Sequence, residues 1–140
     1  MRRTSLAACA ALLIAGAAPA DNSRPGDRPV RNKLEGTWEH TFADQPQLHQ
    51  VKLINQDHFI WVTYDRGSKT PVAAAGGSYT LEGDTYKERV EFGRFGTPEL
   101  QEVVGKKWQV YKVQVDGDTL TLSGTMTNGM ALREVWKRTK

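Results

Sequence analysis

Eight short segments of the chain alternate apolar and polar residues, and a period of two is the spacing of side chains along a half-buried β-strand. Asp116-Gly117 and Asn128-Gly129 separate neighbouring segments and suit the type I′ turns of tight hairpins. The first segment contains Gly36-Thr37-Trp38 and the last contains Trp136-Lys137-Arg138. We predict an all-β fold, an eight-stranded antiparallel up-and-down β-barrel whose first and last strands meet. The predicted strands are residues 36–42, 49–54, 58–64, 72–81, 85–92, 107–115, 119–125 and 131–138.

One segment interrupts the strand pattern between the predicted strands five and six. Thr97 is a suitable N-cap, Pro98 suits the first helical position, and Gly105 suits the C-cap. We predict one short helix there, from residue 98 to residue 104. No other segment has a helical period, which argues against a βαβ fold.

The N-terminus has the composition of a secretory signal peptide. Arg2 and Arg3 precede an Ala-rich apolar stretch, and Ala18-Pro19-Ala20 offers small residues at the cleavage positions. Cys9 lies too close to the arginines for a lipoprotein signal, because most of the apolar stretch follows it. We predict a signal peptide over residues 1–20, cleaved after Ala20, and a periplasmic or secreted protein.

A polar segment follows the predicted cleavage site. Residues 21–33 contain Pro25, Gly26 and Pro29 among charged residues, and Val30 is their only other apolar side chain. Such a segment cannot bury enough surface to order itself. We predict a flexible tether over residues 21–33, followed by a single barrel domain over residues 34–140.

The composition excludes several kinds of protein. Cys9 is the only cysteine and is expected to leave with the signal peptide, so neither a disulfide nor thiol chemistry is predicted. Loss of Arg2 and Arg3 reduces the 19 basic residues to 17, which nearly balance the 16 acidic ones. Because no basic cluster alternates with aromatic residues, we expect no nucleic-acid partner. We also expect no transmembrane segment in the mature chain.

Strand alternation places two glutamates on otherwise apolar faces. Glu88 shares its face with Tyr86 and Phe92, and Glu134 shares its face with Trp136. Because their neighbours on these faces are apolar, we expect both glutamates to point into the barrel. A carboxylate is rarely buried without a partner, so we also expect each to meet a tyrosine, a threonine or a lysine. Three roles remain open for the pair: a structural polar network, a ligand anchor, or acid/base catalysis.

A run of small residues occupies the fourth predicted strand. Ala73-Ala74-Ala75-Gly76-Gly77 adds little volume to one side of the barrel. The run leaves room for a ligand, admits a large neighbour such as Trp61, or marks a sharp bend of the strand.

The residues that most often carry catalysis or bind metals form no recognisable pattern. No Gly-x-Ser-x-Gly sequence is present and no serine has an identifiable base, so we predict no catalytic residue. His40, His49 and His58 fall on three different predicted strands, without the close pair typical of a zinc site. We therefore predict no metal site and no cofactor. In particular, we do not predict a haem bound by His40.

Leu34-Glu35-Gly36-Thr37-Trp38 resembles the G-x-W sequence that opens the lipocalins. In that family the tryptophan closes one end of the barrel and an arginine at the end of the last strand packs across it; Trp38 and Arg138 match these positions. Segments 58–65, 76–81, 83–88 and 134–138 resemble small exported bacterial lipocalin-like proteins, and the similarity covers nearly the whole chain after the tether. The disulfide, long loops and C-terminal helix of ordinary lipocalins are missing. The resemblance implies a lipocalin-like barrel that holds a small hydrophobic molecule.

We expect a non-enzymatic binding protein with a small hydrophobic or amphipathic ligand inside the barrel. One alternative is a structural or protein-interaction module with a filled barrel, and another is an acid/base enzyme that uses the paired glutamates. A polar head of the ligand would meet the glutamates, and the apolar remainder would meet aromatic and aliphatic side chains. The predicted ligand-binding residues are Phe59, Trp61, Thr63, Tyr79, Tyr86, Glu88, Val90, Leu122 and Glu134.

Overall fold

The computed structural model describes residues 27–96, 98–102, 104–125, 129 and 131–139, and within them eight antiparallel strands form a closed barrel. Each strand pairs with the next along the chain. The last strand returns to the first, where Trp38 lies opposite Arg138 and Glu39 opposite Lys137. The predicted all-β, up-and-down barrel is therefore confirmed. The strands are β1 (Gly36–Thr41), β2 (Leu48–Asn55), β3 (His58–Asp65), β4 (Pro71–Glu82), β5 (Thr85–Arg94), β6 (Trp108–Asp116), β7 (Thr119–Thr125) and β8 (Ala131–Arg138).

The barrel has two different ends, which we call the closed end and the open end. Helix α1 (Asp27–Leu34) and the short β2–β3, β4–β5 and β6–β7 turns lie at the closed end. The connections that follow β1, β3, β5 and β7 lie at the open end. The largest fully buried side chains are Trp38, Trp136, Tyr79, Tyr86, Leu34, Ile54, Leu120 and Leu122.

Helix α1 occupies the second half of the predicted tether, which covers residues 21–33. Leu34 is completely buried, and Val30, four residues earlier on the same face of the helix, packs against the core. Arg31 donates a hydrogen bond to the carbonyl of Gln56 and lies 5.5 Å from the ring centroid of Tyr79. The residues before Leu34 form a helix because the barrel supplies the apolar surface that this polar segment lacks by itself. Residues 21–26 of the predicted tether lie outside the described residues.

Trp38 seals the closed end beneath α1. Its indole Nε1 donates a hydrogen bond to the carbonyl of Leu34 at 2.8 Å. The Arg138 guanidinium lies 4.1 Å from the ring centroid of Trp38 and donates a hydrogen bond to the carbonyl of Glu35 at 2.8 Å. This cation–π contact joins the last strand to the entry of the first.

A β-bulge changes the face of the last residues of β5. The register shifts between Gly76 and Gly77, so that Val90 lies opposite Gly77 and Phe92 opposite Gly76. One extra residue on β5, Glu91, reverses the alternation beyond it. Phe92 is consequently 57% exposed, and its predicted position inside the barrel is wrong.

A single helical turn, α2 (Pro98–Gln101), lies between β5 and β6. The predicted helix reaches residue 104, but residues 97 and 103 lie outside the described residues, so its extent stays a prediction. Among the described residues, no helix has both the length and the apolar composition needed to cross a bilayer.

Candidate ligand-binding cavity

A cavity of about 370 Å³ occupies the barrel between the core of the closed end and the loops of the open end. Inward-facing side chains of the strands form most of its wall, and three lining residues follow strands at the open end: Phe42 after β1, and Phe95 and Gly96 after β5. The lining residues are Phe42, Gln50, Lys52, Trp61, Thr63, Ala73, Glu88, Val90, Phe95, Gly96, Gln109, Tyr111, Leu122, Leu132, Glu134 and Trp136.

A buried ion pair crosses the cavity from β2 to β5. The Lys52 ammonium contacts the Glu88 carboxylate, and the two residues are only 3% and 5% exposed. The Tyr86 hydroxyl donates a second hydrogen bond to the same Glu88 oxygen at 2.8 Å. The Lys52 Nζ also lies 5.0 Å from the ring centroid of Phe59 and 5.8 Å from that of Trp136. Burial of two charges is costly, and here each charge offsets the other.

Glu134 is the second carboxylate of the wall. It is partly buried, and its Oε2 accepts a hydrogen bond from the Trp136 indole at 3.2 Å. Burial raises the pKa of the Glu134 carboxyl, and the Glu88 charge raises it further. The positive charge of Lys52, the nearby His40 and the indole hydrogen bond act in the opposite direction.

Two further polar groups face the cavity. The side-chain oxygen of Gln50 is buried without a hydrogen-bond partner in the described structure. On the other side, the Tyr111 hydroxyl donates a hydrogen bond to the side-chain oxygen of Gln109. Burial raises the pKa of the Tyr111 phenol well above its usual value, so this group stays a donor. We refer to Gln50, Lys52, Glu88 and Glu134 as the polar cluster.

Apolar and aromatic side chains form the remaining wall. Trp61 and Phe95 meet edge to face, with ring centroids 5.6 Å apart. Gln101 of α2 fixes this contact from outside, because its amide oxygen accepts a hydrogen bond from the Phe95 backbone at 3.2 Å and its nitrogen donates to the Gly93 carbonyl at 3.1 Å. The short turn α2 thus positions one aromatic residue at the mouth of the cavity.

The structure brings six of the nine predicted ligand-binding residues to the cavity wall: Trp61, Thr63, Glu88, Val90, Leu122 and Glu134. The other three, Phe59, Tyr79 and Tyr86, are buried in the core instead. Tyr79 lies under Arg31 of α1, and Tyr86 packs on Tyr79 with ring centroids 5.0 Å apart. These three side chains support the floor of the cavity and do not face it.

Lys52 and Gln50 are the most consequential wall residues that the sequence did not reveal. In β2 the polar Gln50 and Lys52 point inward, whereas Leu53 is 46% exposed. A simple rule of apolar side chains inward assigns the opposite face. The available signal was indirect, because an inward Glu88 requires a counter-charge and a lysine on a facing strand can supply it.

The three histidines make separate contacts. His40 Nδ1 donates a hydrogen bond to the Val135 carbonyl at 2.8 Å, and His58 lies against Asp57 on the surface. His49 Nε2 is 3.5 Å from the Glu39 carboxylate. Within the described residues, no group of three or more His, Cys, Asp or Glu side chains is arranged to hold a metal ion.

No protein-family model and no curated protein matches the chain. A crystal structure of Rv2717c from M. tuberculosis is similar over 84% of this chain and 99% of that one, with 12% sequence identity and a TM-score of 0.36. The closed eight-stranded topology therefore rests on the strand pairing of this chain alone.

Proposed function

We propose that this protein is a non-enzymatic binding protein that holds a small apolar or amphipathic molecule inside its barrel. The observation that carries the proposal is the cavity of about 370 Å³, which combines an apolar wall with a few polar groups at fixed positions. Its size lies at the small end of the range for ligand pockets, about 300–1,000 Å³. A pocket of this kind excludes water from the ligand and orients it by few polar contacts.

The wall residues divide by chemistry into two roles. Trp61, Val90 and Leu122 contact the apolar part of the ligand, because they offer carbon surface that is otherwise in contact with water or empty space. Glu134 and Thr63 meet its polar head, since neither is tied to the Lys52 ion pair. Glu88 acts mainly by holding that lysine in place.

We further propose that the barrel is lipocalin-like. The support is the closed end, where Arg138 lies across Trp38 just as the G-x-W resemblance implies. The chain departs from a deep lipocalin cup, because α1 and the tryptophan core fill the closed half and restrict the ligand to the other half.

Export is a separate part of the proposal. The support is the sequence of residues 1–20, with its arginines, its apolar stretch and Ala18-Pro19-Ala20. N-terminal sequencing of the protein recovered from its own host tests it. A mature chain that starts at Asp21 supports export with cleavage after Ala20. A chain that retains residues 1–20 contradicts export, and a chain that starts at Cys9 contradicts this cleavage site.

A second candidate function, protein interaction, has one observation in its favour. Leu53, Ile60 and Phe92 are 46%, 45% and 57% exposed, and cross-strand pairing places them in one row on the outer face, with Gly76 between Ile60 and Phe92. The cavity favours the first candidate, because an interaction module gains nothing from an unfilled interior.

An apolar fluorescent probe tests ligand binding in the cavity. N-phenyl-1-naphthylamine has no charge at neutral pH, and we expect its emission to rise on binding to the wild-type protein. Leu132→Trp fills the cavity wall and should weaken binding at least tenfold. Arg133→Trp adds the same ring at an exposed position of the same strand and should leave binding unchanged. Equal effects of the two variants would contradict binding inside the barrel.

A further inference from the structure

We propose that the cavity selects molecules that end in a protonated amine, and that the Glu134 carboxylate receives this ammonium group. The inference rests on the proposed function and names the chemical class of the ligand. It follows from the charges of the wall, from the hydrogen-bond acceptors left open there and from the aromatic rings around them.

The charges of the wall are unbalanced. Of the described residues that line the cavity, three are charged: Lys52, Glu88 and Glu134. Lys52 and Glu88 neutralise each other in direct contact. Glu134 is left without a cation of its own, and a ligand with one positive charge restores neutrality. A carboxylate or phosphate head would instead bring a third negative charge into a space of low dielectric.

The open hydrogen-bonding positions are acceptors. Glu134 uses Oε2 for the Trp136 indole, and its Oε1 has no hydrogen-bond partner in the described part of the chain. The side-chain oxygen of Gln50 is unpartnered as well, and this oxygen is also buried. Leaving a buried acceptor such as the Gln50 oxygen without a donor is unfavourable. An alkylammonium carries three donors and no acceptor, so its hydrogen-bonding capacity complements these two oxygens.

The aromatic residues of the wall favour a cation as well. Phe42, Trp61, Phe95, Tyr111 and Trp136 all line the cavity. The faces of such rings attract an ammonium group. Lys52, whose Nζ lies within 6 Å of the Trp136 ring centroid, already uses one of them in this way.

The protonation of Glu134 couples to ligand charge. The titratable groups that influence it are His40 from β1, Lys52 from β2 and Glu88 from β5. The charge of Glu134 in turn raises the pKa of the Tyr111 phenol on β6. Burial raises the pKa of Glu134, so the carboxyl of the empty cavity retains its proton to a higher pH than a free glutamate does. An ammonium ligand binds the ionised form better, and its affinity therefore rises as pH rises through this pKa. At a pH near or below this pKa, binding therefore releases a proton.

Isothermal titration calorimetry with three eight-carbon probes tests the proposal. Octylamine, octan-1-ol and octanoate share one chain and differ in the head group, and the ammonium stays charged from pH 5 to pH 8. At pH 7.5 we expect octylamine to bind the wild-type protein at least tenfold more tightly than octanol, and octanoate to bind most weakly. This order of affinities is measured on the wild-type protein alone. If octanol or octanoate binds as tightly as octylamine, the amine preference is wrong, although small-molecule binding stands.

A matched pair of variants locates the preference. Glu134→Gln keeps the shape of the side chain and removes its charge, so it should abolish the preference of octylamine over octanol and the rise of octylamine affinity with pH. Glu91→Gln removes a carboxylate from the exposed face of β5 and should change neither. An unchanged preference in Glu134→Gln would overturn the assignment of this residue. If none of the three probes binds the wild-type protein, the proposed function fails together with this inference.

Discussion

Lys52 and Glu88 should have a large coupling energy in a double-mutant cycle, because both groups are almost completely buried. Lys52→Met keeps much of the side-chain volume but leaves the Glu88 carboxylate without its cation. Removing one member of a buried pair costs about 3–5 kcal/mol. This is a large part of the 5–15 kcal/mol that stabilises a typical domain. We therefore expect a clear loss of stability from a substitution that adds only apolar surface.

The second substitution rescues the first. Glu88→Gln retains an oxygen that can accept the hydrogen bond of Tyr86, which lies 2.8 Å from the carboxylate. The double variant Lys52→Met/Glu88→Gln should therefore recover at least about 2 kcal/mol relative to the sum of the single variants, because it no longer buries an uncompensated charge.

Urea unfolding followed by tryptophan fluorescence measures the four free energies of this cycle. The control is the surface pair of the partly exposed Lys87 and the exposed Glu82, whose charged atoms are 3.4 Å apart. A surface pair of this kind contributes about 0–1 kcal/mol, so Lys87→Met should have little effect. If Lys52→Met costs no more than Lys87→Met, or if the cycle gives no coupling energy, the ion pair does not stabilise the wall of the cavity as described.

Three further predictions concern stability. Trp38→Ala should lower the free energy of unfolding by about 3–5 kcal/mol in urea titrations, whereas Trp108→Ala, at a position 44% exposed, should cost much less; equal losses would contradict closure by Trp38. Because the pKa of Glu134 is raised in the folded protein, ionisation of this carboxyl destabilises the fold as pH rises above the unfolded value of 4.5. Unfolding measured across this range should therefore show Glu134→Gln gaining stability relative to the wild type as pH rises; a constant difference would refute the burial of this carboxyl. Gly77→Ala should lower the melting temperature, because a Cβ there would overlap a backbone carbonyl of β5, and Gly96→Ala, where a Cβ meets nothing, should not; the reverse order would contradict the bulge.

The strands and their order could be predicted because their signals are local. Alternation and turn dipeptides such as Asp116-Gly117 act over a few residues, and up-and-down topology joins neighbours in sequence. Closure was also predicted, and the structure confirms it through the pairing of Trp38 with Arg138.

The orientation of β2 could not be predicted in the same way. Its inward Lys52 is stabilised by Glu88, a residue 36 positions away, and nothing within the strand indicates that partner. The misplaced Phe92 has a similar cause, because the bulge that reverses its face depends on the close approach of β4 at Gly77. Helix α1 likewise forms on a surface that only the closed barrel provides.

The wall of the cavity was predicted where alternation alone decides it. Thr63, Val90 and Leu122 lie on inward faces of regular strands, and they line the cavity. Tyr79 and Tyr86 also point inward, but they lie closer to the closed end, where the core is solid. Depth along the barrel depends on the stagger of all eight strands, which no single segment reveals.

Native mass spectrometry of the mature protein, purified from its own host, tests whether the barrel holds a ligand. We expect a fraction of molecules with one additional small mass that collisional activation releases, and a positively charged compound of that mass in the released material. Leu132→Trp, purified in parallel, should lack the additional mass, whereas Arg133→Trp should retain it. A wild-type protein that carries no additional mass, and that takes up none of the eight-carbon probes when they are added, would contradict the claim that this barrel is a binding site.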